Sequence, residues 1–272
     1  MKRKMYSKKM NTFFIIGAVM MGIAVALALL SMFWTPFEPT AMSAAERFKA
    51  PSVRHIFGTD NFGRDIFSRI MKAIGSSVVI SIAIVAISGI LGILIGSVTG
   101  YFGGIVDTVL MRIVDTINGF PSILLALVII AIMGKGKLNV VVALGIAFTP
   151  SFVRIVRGEF IRLRDADYIV RARLMGVSKP RILFVHILPN IREVFLVSLT
   201  IGFNNAILAE SGLSYLGIGV QAPDATLGSM LSDAQGYLSS SPWYALAPGL
   251  SIVFIVLGAA MLSEGMKADK SR

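Results

Sequence analysis

Polar side chains recur at helical spacing within and just beyond an apolar run at positions 194–209. Thr200, Asn204, Ser211 and Ser214, with position 207 between them, lie four and three residues apart and so share one helix face. Glu210 flanks that face. Lipid offers these groups no hydrogen-bond partner, so the face should turn toward water or protein. Thr200, Asn204, Glu210 and Ser211 are therefore candidates for lining a polar path. Two alternatives stay open: a face that holds helices together, and a Glu210 solvated at the outer membrane edge.

Other chemically capable groups are few. Arg112 and Asp115 are three residues apart and can pair on one helix face, which favours a salt bridge at the cytoplasmic edge over a substrate role. His55 and His186 are the only two histidines, and we expect them on opposite sides of a membrane, so they cannot form one metal site. The chain has no Cys, which excludes disulfides and thiol chemistry. It also has no Gly-x-x-x-x-Gly-Lys-Ser/Thr phosphate loop and no convincing catalytic set.

The elements that must position these residues are membrane helices. The chain has 272 residues, 55% hydrophobic and 15% charged, with a mean hydropathy of +0.78. A membrane helix needs about 20 mostly apolar residues. Six runs meet or approach that length, at 13–34, 73–106, 117–134, 138–153, 194–209 and 243–262. The sequence predicts an all-α, polytopic membrane protein with about six transmembrane helices. A basic start and the triplet 26–28 also suit a signal peptide, but the apolar run continues to Trp34, which favours an uncleaved anchor.

The distribution of Lys and Arg predicts the orientation. Five basic residues precede the first run, and the loop at 154–192 carries nine basic residues against three acids. The segment 210–242 has no Lys or Arg and should face outside. Both termini are then cytoplasmic, with Lys267, Lys270 and Arg272 at the inner C-terminal edge. Lys135 and Lys137 fall outside by this count, against the rule. The net charge of +11 suits anionic lipid at the membrane surface and needs no nucleic-acid partner.

The inner loop at 154–192 reads as two short helices joined by a glycine break. Asp165 is expected to cap the first helix and Gly176 to end it. Ser178 is expected to cap the second, and Pro189 to close it. Helices this short are unstable alone, so they predict a partner surface. The alternative is an interfacial loop that only follows the charge rule.

This loop resembles the coupling loop of the C-type permease subunit in dipeptide, oligopeptide and nickel ABC importers. That family has a Glu-Ala-Ala motif, a glycine and then a His-x-Leu-Pro-Asn sequence. The matching residues here are Tyr168, Ala172, Arg173, Gly176, His186, Leu188, Pro189 and Asn190. Val170 replaces the motif's glutamate and Arg171 its first alanine. Shorter matches lie at 58–69, 100–121, 213–221 and 248–249, in the family's order; the family's Asn-Leu-x-Gly-Asp sequence near the C-terminus is absent.

The resemblance implies a type I ABC importer permease fold in the bacterial cytoplasmic (inner) membrane. It divides the chain into a cytoplasmic segment 1–12, a first helix 13–34, an outer loop 35–72 and a permease core 73–272 that includes the loop 154–192. The implied partners are a homologous second permease, two ABC ATPase subunits and an external substrate-binding protein. ATP and Mg²⁺ would bind the ATPases, and this chain would carry no cofactor and no catalytic residue.

The resemblance also implies residue roles. ATPase coupling would fall to Tyr168, Val170, Arg171, Ala172, Arg173, Gly176, His186 and Pro189. The fifth predicted membrane helix, at 194–209, would border the translocation path. Asp60, Arg64 and Asp65, with the segment 214–230, would receive the binding protein, unless 58–65 only caps the second helix. Peptides are the expected cargo, and nickel or a metal chelate is the alternative. A stand-alone secondary transporter or channel would predict an inverted repeat, which the sequence lacks; an intramembrane enzyme would need a catalytic set.

Overall fold

The computed structural model describes residues 2–221 and 224–268, and this part of the chain is helical with no β-strand beyond one isolated bridge between Thr59 and Asp65. The α-helices are α1 Lys2–Phe33, α2 Ile66–Phe102, α3 Gly104–Asn118, α4 Ser122–Met133, α5 Lys137–Arg164, α6 Asp167–Leu174, α7 Lys179–Arg181, α8 Leu188–Tyr215, α9 Leu227–Ala234 and α10 Pro242–Ala268. A π-helical segment, Ile182–Ile187, joins α7 to α8. The predicted all-α class is confirmed.

Five helical stretches in the described residues are long and apolar enough to cross a membrane: Thr12–Phe33, Ile66–Phe102, Lys137–Arg164, Lys179–Tyr215 and Pro242–Lys267. A sixth crossing results if α3 and α4 act as one span, although they meet at an angle of 87°. The predicted count of about six therefore agrees with the structure. Lys270 and Arg272, which the orientation argument used, lie outside the described residues.

Two predicted spans have different boundaries. α2 begins at Ile66 rather than 73, because Asp65 caps it by accepting a hydrogen bond from the Ser68 amide at 2.8 Å. The run expected to be helical at 117–134 is helical only over Ser122–Met133, apart from the last residues of α3. Gly119 and Pro121 interrupt it, since proline cannot donate to the preceding turn, and the chain bends there.

Among the described helices, α2 and α5 share the most extensive contact. Gly96 and Gly100 of α2 lie directly against α5. A Cβ atom at Gly96 would lie 2.8 Å from the Val153 oxygen, and one at Gly100 would lie 2.6 Å from the Phe160 Cβ. Small residues four apart let helix backbones approach closely in lipid. This contact fixes α5, and therefore the inner loop that follows it, to the core.

The remaining helices pack around this pair in three apolar clusters. The first lies among α1, α2, α9 and α10 and includes Ile66 and Tyr244. The second lies among α2, α4, α5 and α8 and includes Leu144. The third joins α5, α6 and the π-helical segment and includes Phe160 and Ile187. The third cluster ties the inner loop to the membrane core.

Candidate coupling, path and docking sites

The inner segment, residues 165–190, continues from the cytoplasmic end of α5. α5 extends to Arg164, so much of the predicted inner loop is helical. Asp165 does not cap α6, contrary to the prediction. It ends α5 with φ −104° and ψ 8°, and its carboxylate accepts from Arg164 Nε at 3.2 Å. Ala166 is the residue that precedes α6, and it has no side-chain cap.

Gly176 ends α6 with a φ of +79°, in the left-handed region that favours glycine. The Gly176 amide donates to the Arg173 carbonyl, and the Val177 amide donates to the Ala172 carbonyl, both at 3.1 Å. These two bonds form a Schellman motif, which satisfies the last carbonyls of a helix. The predicted glycine stop is therefore present, and it sets the direction in which the chain leaves α6.

Pro189 does not close the second short helix, contrary to the prediction. α7, the π-helical segment and α8 form one continuous stretch, Lys179–Tyr215, with Pro189 in the first turn of α8. Proline lacks an N–H and crowds the carbonyl four residues earlier. The wider π-turn before it avoids that clash, and the Asn190 side chain donates to the His186 carbonyl at 2.6 Å. Ser178 precedes α7 as expected but makes no side-chain capping bond.

The side chains of the inner segment divide into anchors and an exposed surface. Ala172 is buried and His186 half-buried, whereas Tyr168, Val170, Arg171, Arg173, Gly176 and Pro189 are exposed. Leu174 and Met175, at the tip, expose 82% and 77% of their surface. The family motif does not include Leu174 and Met175. Two adjacent apolar residues at a helix end before a glycine nevertheless indicate an exposed contact surface. The tip offers apolar contacts with arginines beside them, which suits a protein partner.

Two ion pairs brace α3 against the base of α5. Arg157 pairs with Asp107 through two bonds of 2.6 Å, and Arg154 Nη2 lies 2.8 Å from Asp115 Oδ1. The expected pair of Arg112 with Asp115 is therefore replaced by a contact between helices. Spacing along one helix cannot reveal this, since α3 and α5 meet only in the fold.

The predicted polar face of α8 points into the subunit. The Asn204 amide faces α10; in the amide orientation that satisfies both neighbours, it donates to the Val256 oxygen at 3.2 Å and accepts from the Ala260 nitrogen at 3.1 Å. Thr200 is half-buried and donates to the Leu196 carbonyl at 3.1 Å. Ser211 is buried. Asn204 therefore matches the alternative in which a polar group holds two helices together, whereas the Thr200 bond to Leu196 stays within α8.

Glu210 is fully buried and joins three elements. Ser214 donates to one carboxylate oxygen at 2.7 Å, and Ser77 of α2 donates to the other at 3.2 Å. The Leu227 amide, at the start of α9, donates to the Ser77 hydroxyl at 3.2 Å. Glu210 therefore lies neither in solvent at the outer interface, as one alternative had it, nor on a surface of this subunit that a path would line.

The opposite side of α8 carries polar groups that the subunit leaves uncovered. Asn205 is exposed, as is Ser151 of α5, and both line a small cleft with Ser198 and Ile201. Polar groups exposed within a membrane span usually face a cavity or a partner. Asn205 is one position from the predicted face. Only the packing of α10 against α8 shows which side of α8 the other helices leave uncovered.

The outer turn, residues 55–69, is built around two buried carboxylates. Asp60 accepts from the Arg64 amide at 2.9 Å, from Arg64 Nε at 2.6 Å and from Arg69 Nη1 at 2.5 Å. Asp65 accepts from His55 Nδ1 at 2.9 Å as well as capping α2. Asp60 and Asp65 are buried and Arg64 is mostly buried, so these side chains shape the turn. This geometry matches the capping alternative for 58–65.

The family model described as binding-protein-dependent transport system inner membrane component matches residues 92–266, more than half of the chain. The chain belongs to this family. The match covers α3 to α8 with the inner segment, α9 and most of α10. Chains of this family are permease subunits, so the expected recognition as a permease is confirmed, and the protein is a multi-pass membrane protein.

Relatives of this permease carry names from peptide transport. It is 38% identical over 261 residues to the dipeptide transport system permease protein of Alkalihalophilus pseudofirmus, which covers 95% of this chain and 85% of the relative. It is 31% identical to the oligopeptide permease protein of Bacillus subtilis, over 98% of this chain and 87% of the relative. It is 37% identical to the glutathione permease protein of Pectobacterium atrosepticum, over 92% and 85%.

Proposed function

We propose that this permease carries peptides inward across the bacterial cytoplasmic membrane as part of an ATP-driven importer. The observation that carries this proposal is 38% identity to a dipeptide permease over nearly the whole chain. Relatives named for oligopeptides and glutathione support the same cargo class, since all are amide-linked amino acids. Among the described residues, no group of three His, Asp or Glu side chains could hold a metal ion.

The proposed partners are a second permease, two ATPase subunits that bind ATP and Mg²⁺, and an external binding protein. Both termini would lie in the cytoplasm. The tip of the inner segment, with exposed Leu174 and Met175, would seat in the ATPase. α6 is held to α5 by the third apolar cluster, and α8 continues without a break from the π-helical segment. A push on the tip would therefore move α5 and α8 together.

The translocation path would follow the α5–α8 face that carries Ser151 and Asn205, opposite the sequence-predicted residues Thr200, Asn204, Glu210 and Ser211. The uncovered amide and hydroxyl groups would hydrogen-bond to a peptide backbone or to water. The buried network at Glu210 would keep α8 in register with α2 and α9 as the path opens and closes.

The binding protein would dock over the outer turn and the segment 214–230, of which 222 and 223 lie outside the described residues. Asp60 and Asp65 would shape this surface rather than touch the partner. Exposed residues such as Phe62 and Arg54 would make the contacts.

Co-purification followed by uptake tests the proposed function. A tagged chain, co-expressed with the transport proteins encoded beside it, should bring ATPase subunits and a second permease through purification. Proteoliposomes with ATP inside and binding protein outside should take up a labelled dipeptide and not labelled Ni²⁺. A chain that purifies without an ATPase, or a complex that takes up only Ni²⁺, would contradict the proposal.

A further inference from the structure

A groove of about 400 Å³ opens between the C-terminal half of α1, the first turns of α2 and the start of α5. Its walls are mainly apolar and include Val25, Leu29, Val79 and Ile82. Leu29, Val79 and Ile82 are each more than half exposed and belong to membrane-spanning stretches. The groove therefore faces lipid or a partner rather than the interior of the subunit.

Two lysines line this groove. Lys72 is in the second turn of α2, and Lys137 is the first residue of α5. Within the described part of the chain, neither lysine forms a salt bridge, whereas Lys49 and Arg54 both pair with Glu46. Lys137 is also one of the basic residues that the orientation rule does not expect on the outer side.

Two lysines without a salt-bridge partner in the described chain favour the binding of an anion in this groove. An ammonium group at the edge of the hydrocarbon layer loses hydration, and a counter-charge offsets that cost. A phosphate group meets two lysines well because each ammonium acts as a point charge with three donors. The mainly apolar walls of the same groove suit a hydrocarbon chain in addition to the anion.

We propose that this groove binds an anionic phospholipid, with its phosphate between Lys72 and Lys137 and an acyl chain along Val25, Leu29, Val79 and Ile82. One phospholipid supplies the anion and the apolar chain together. A helix of a second permease would have to bring a carboxylate to both lysines. The bound lipid would fill the gap between α1 and α2. This inference rests on the groove and its charges, and not on the cargo or on the ATPase contact.

Native mass spectrometry of the purified, full-length chain in its complex tests the site. The complex is equilibrated with equal amounts of phosphatidylglycerol and phosphatidylcholine, and the ratio of retained lipids is measured. The double variant Lys72→Gln/Lys137→Gln should lower the ratio of retained phosphatidylglycerol to phosphatidylcholine. The expected decrease is about fivefold for each lysine removed, which is the contribution of one basic residue near anionic lipid. Val79→Trp should fill the groove and lower retention of both lipids.

Lys135→Gln is the matched control. It removes the same charge two residues from Lys137, but the Lys135 ammonium donates to the Gly217 carbonyl at 2.8 Å and does not line the groove. The control should keep the wild-type lipid ratio. An unchanged ratio in the Lys72/Lys137 double variant, or an equal loss in Lys135→Gln, would overturn the proposal. So would cross-linking of a cysteine at position 79 to the second permease in the assembled complex, because a protein would then cover the groove.

Discussion

Arg157 of α5 grips Asp107 of α3 through two hydrogen bonds, Nε to Oδ1 and Nη2 to Oδ2, each 2.6 Å long. The pair lies just before the part of α5 that leads into the inner segment. It is less exposed than the Arg154–Asp115 pair, whose side chains are 48% and 55% accessible. The two pairs join the same two helices, so they form a natural comparison.

Double-mutant cycles on both pairs should show which pair stabilises the contact between α3 and α5 and which contributes little. A double-mutant cycle with Arg157→Gln and Asp107→Asn should give a coupling energy of about 1–2 kcal/mol, since bidentate charged bonds are roughly twice as strong as ordinary ones. The cycle with Arg154→Gln and Asp115→Asn should give less than about 0.5 kcal/mol. The measurement is denaturation of the purified complex in detergent. Equal coupling in both cycles would argue against a special role for Arg157.

Glu210 should stabilise the packing of α8 rather than line the translocation path. Glu210→Gln keeps a hydrogen-bonding group beside Ser77 and Ser214, so complex stability should fall little. Glu210→Leu leaves buried hydroxyls without their partner, which costs about 1–3 kcal/mol for each group left unpaired. Thermal stability of the complex and uptake per surviving complex are measured together. A stable Glu210→Leu complex with altered uptake would instead place this residue on the path.

Cysteine reactivity should distinguish the two faces of α8. The native chain has no Cys, so single cysteines report without background. Cysteines at positions 151 and 205 should react with small water-soluble thiol reagents, and their rates should change between nucleotide-free and ATP-trapped complexes. Cysteines at 204 and 211 should react slowly in both states, because these positions pack inside the subunit. The reverse pattern would restore the path predicted from the sequence.

The sequence was sufficient for the class of fold and for the order of its parts, because long apolar runs and basic inner edges are local properties. It failed where one helix meets another. The apolar run begins only at 73, but α2 begins at Ile66, and its Arg69 is buried against Asp60 of the outer turn. Pro189 predicts a helix stop, but the π-turn that accommodates it has no simple sequence signature. The spacing of Asn204 and Ser211 identified their common face, but only α2, α9 and α10 decide that this face turns inward.

Gly176 should resist replacement by residues that avoid positive φ. Gly176→Val should misdirect the tip and leave membrane insertion intact, so ATP hydrolysis and uptake lose their coupling. Gly176→Asn, which tolerates the left-handed region better, should keep more of the coupling. Gly158→Ala is a suitable control, since Gly158 lies in α5 with open space around it and no positive φ. The ratio of peptide taken up to ATP hydrolysed in proteoliposomes is the readout, and a wild-type ratio in Gly176→Val would contradict the role of this turn.

Cross-linking from a single cysteine at position 174 tests whether the tip of the inner segment seats in an ATPase subunit. Leu174 is 82% exposed at the end of α6, and a short thiol-to-amine cross-linker should join it to the ATPase in high yield. A cysteine at 138 is the control, because Leu138 is similarly exposed, at 77%, in the first turn of α5 at the predicted outer edge. We expect an ATPase adduct from position 174 and none from position 138. No adduct from 174 in a complex that still contains its ATPases, or equal adducts from both positions, would contradict this expectation.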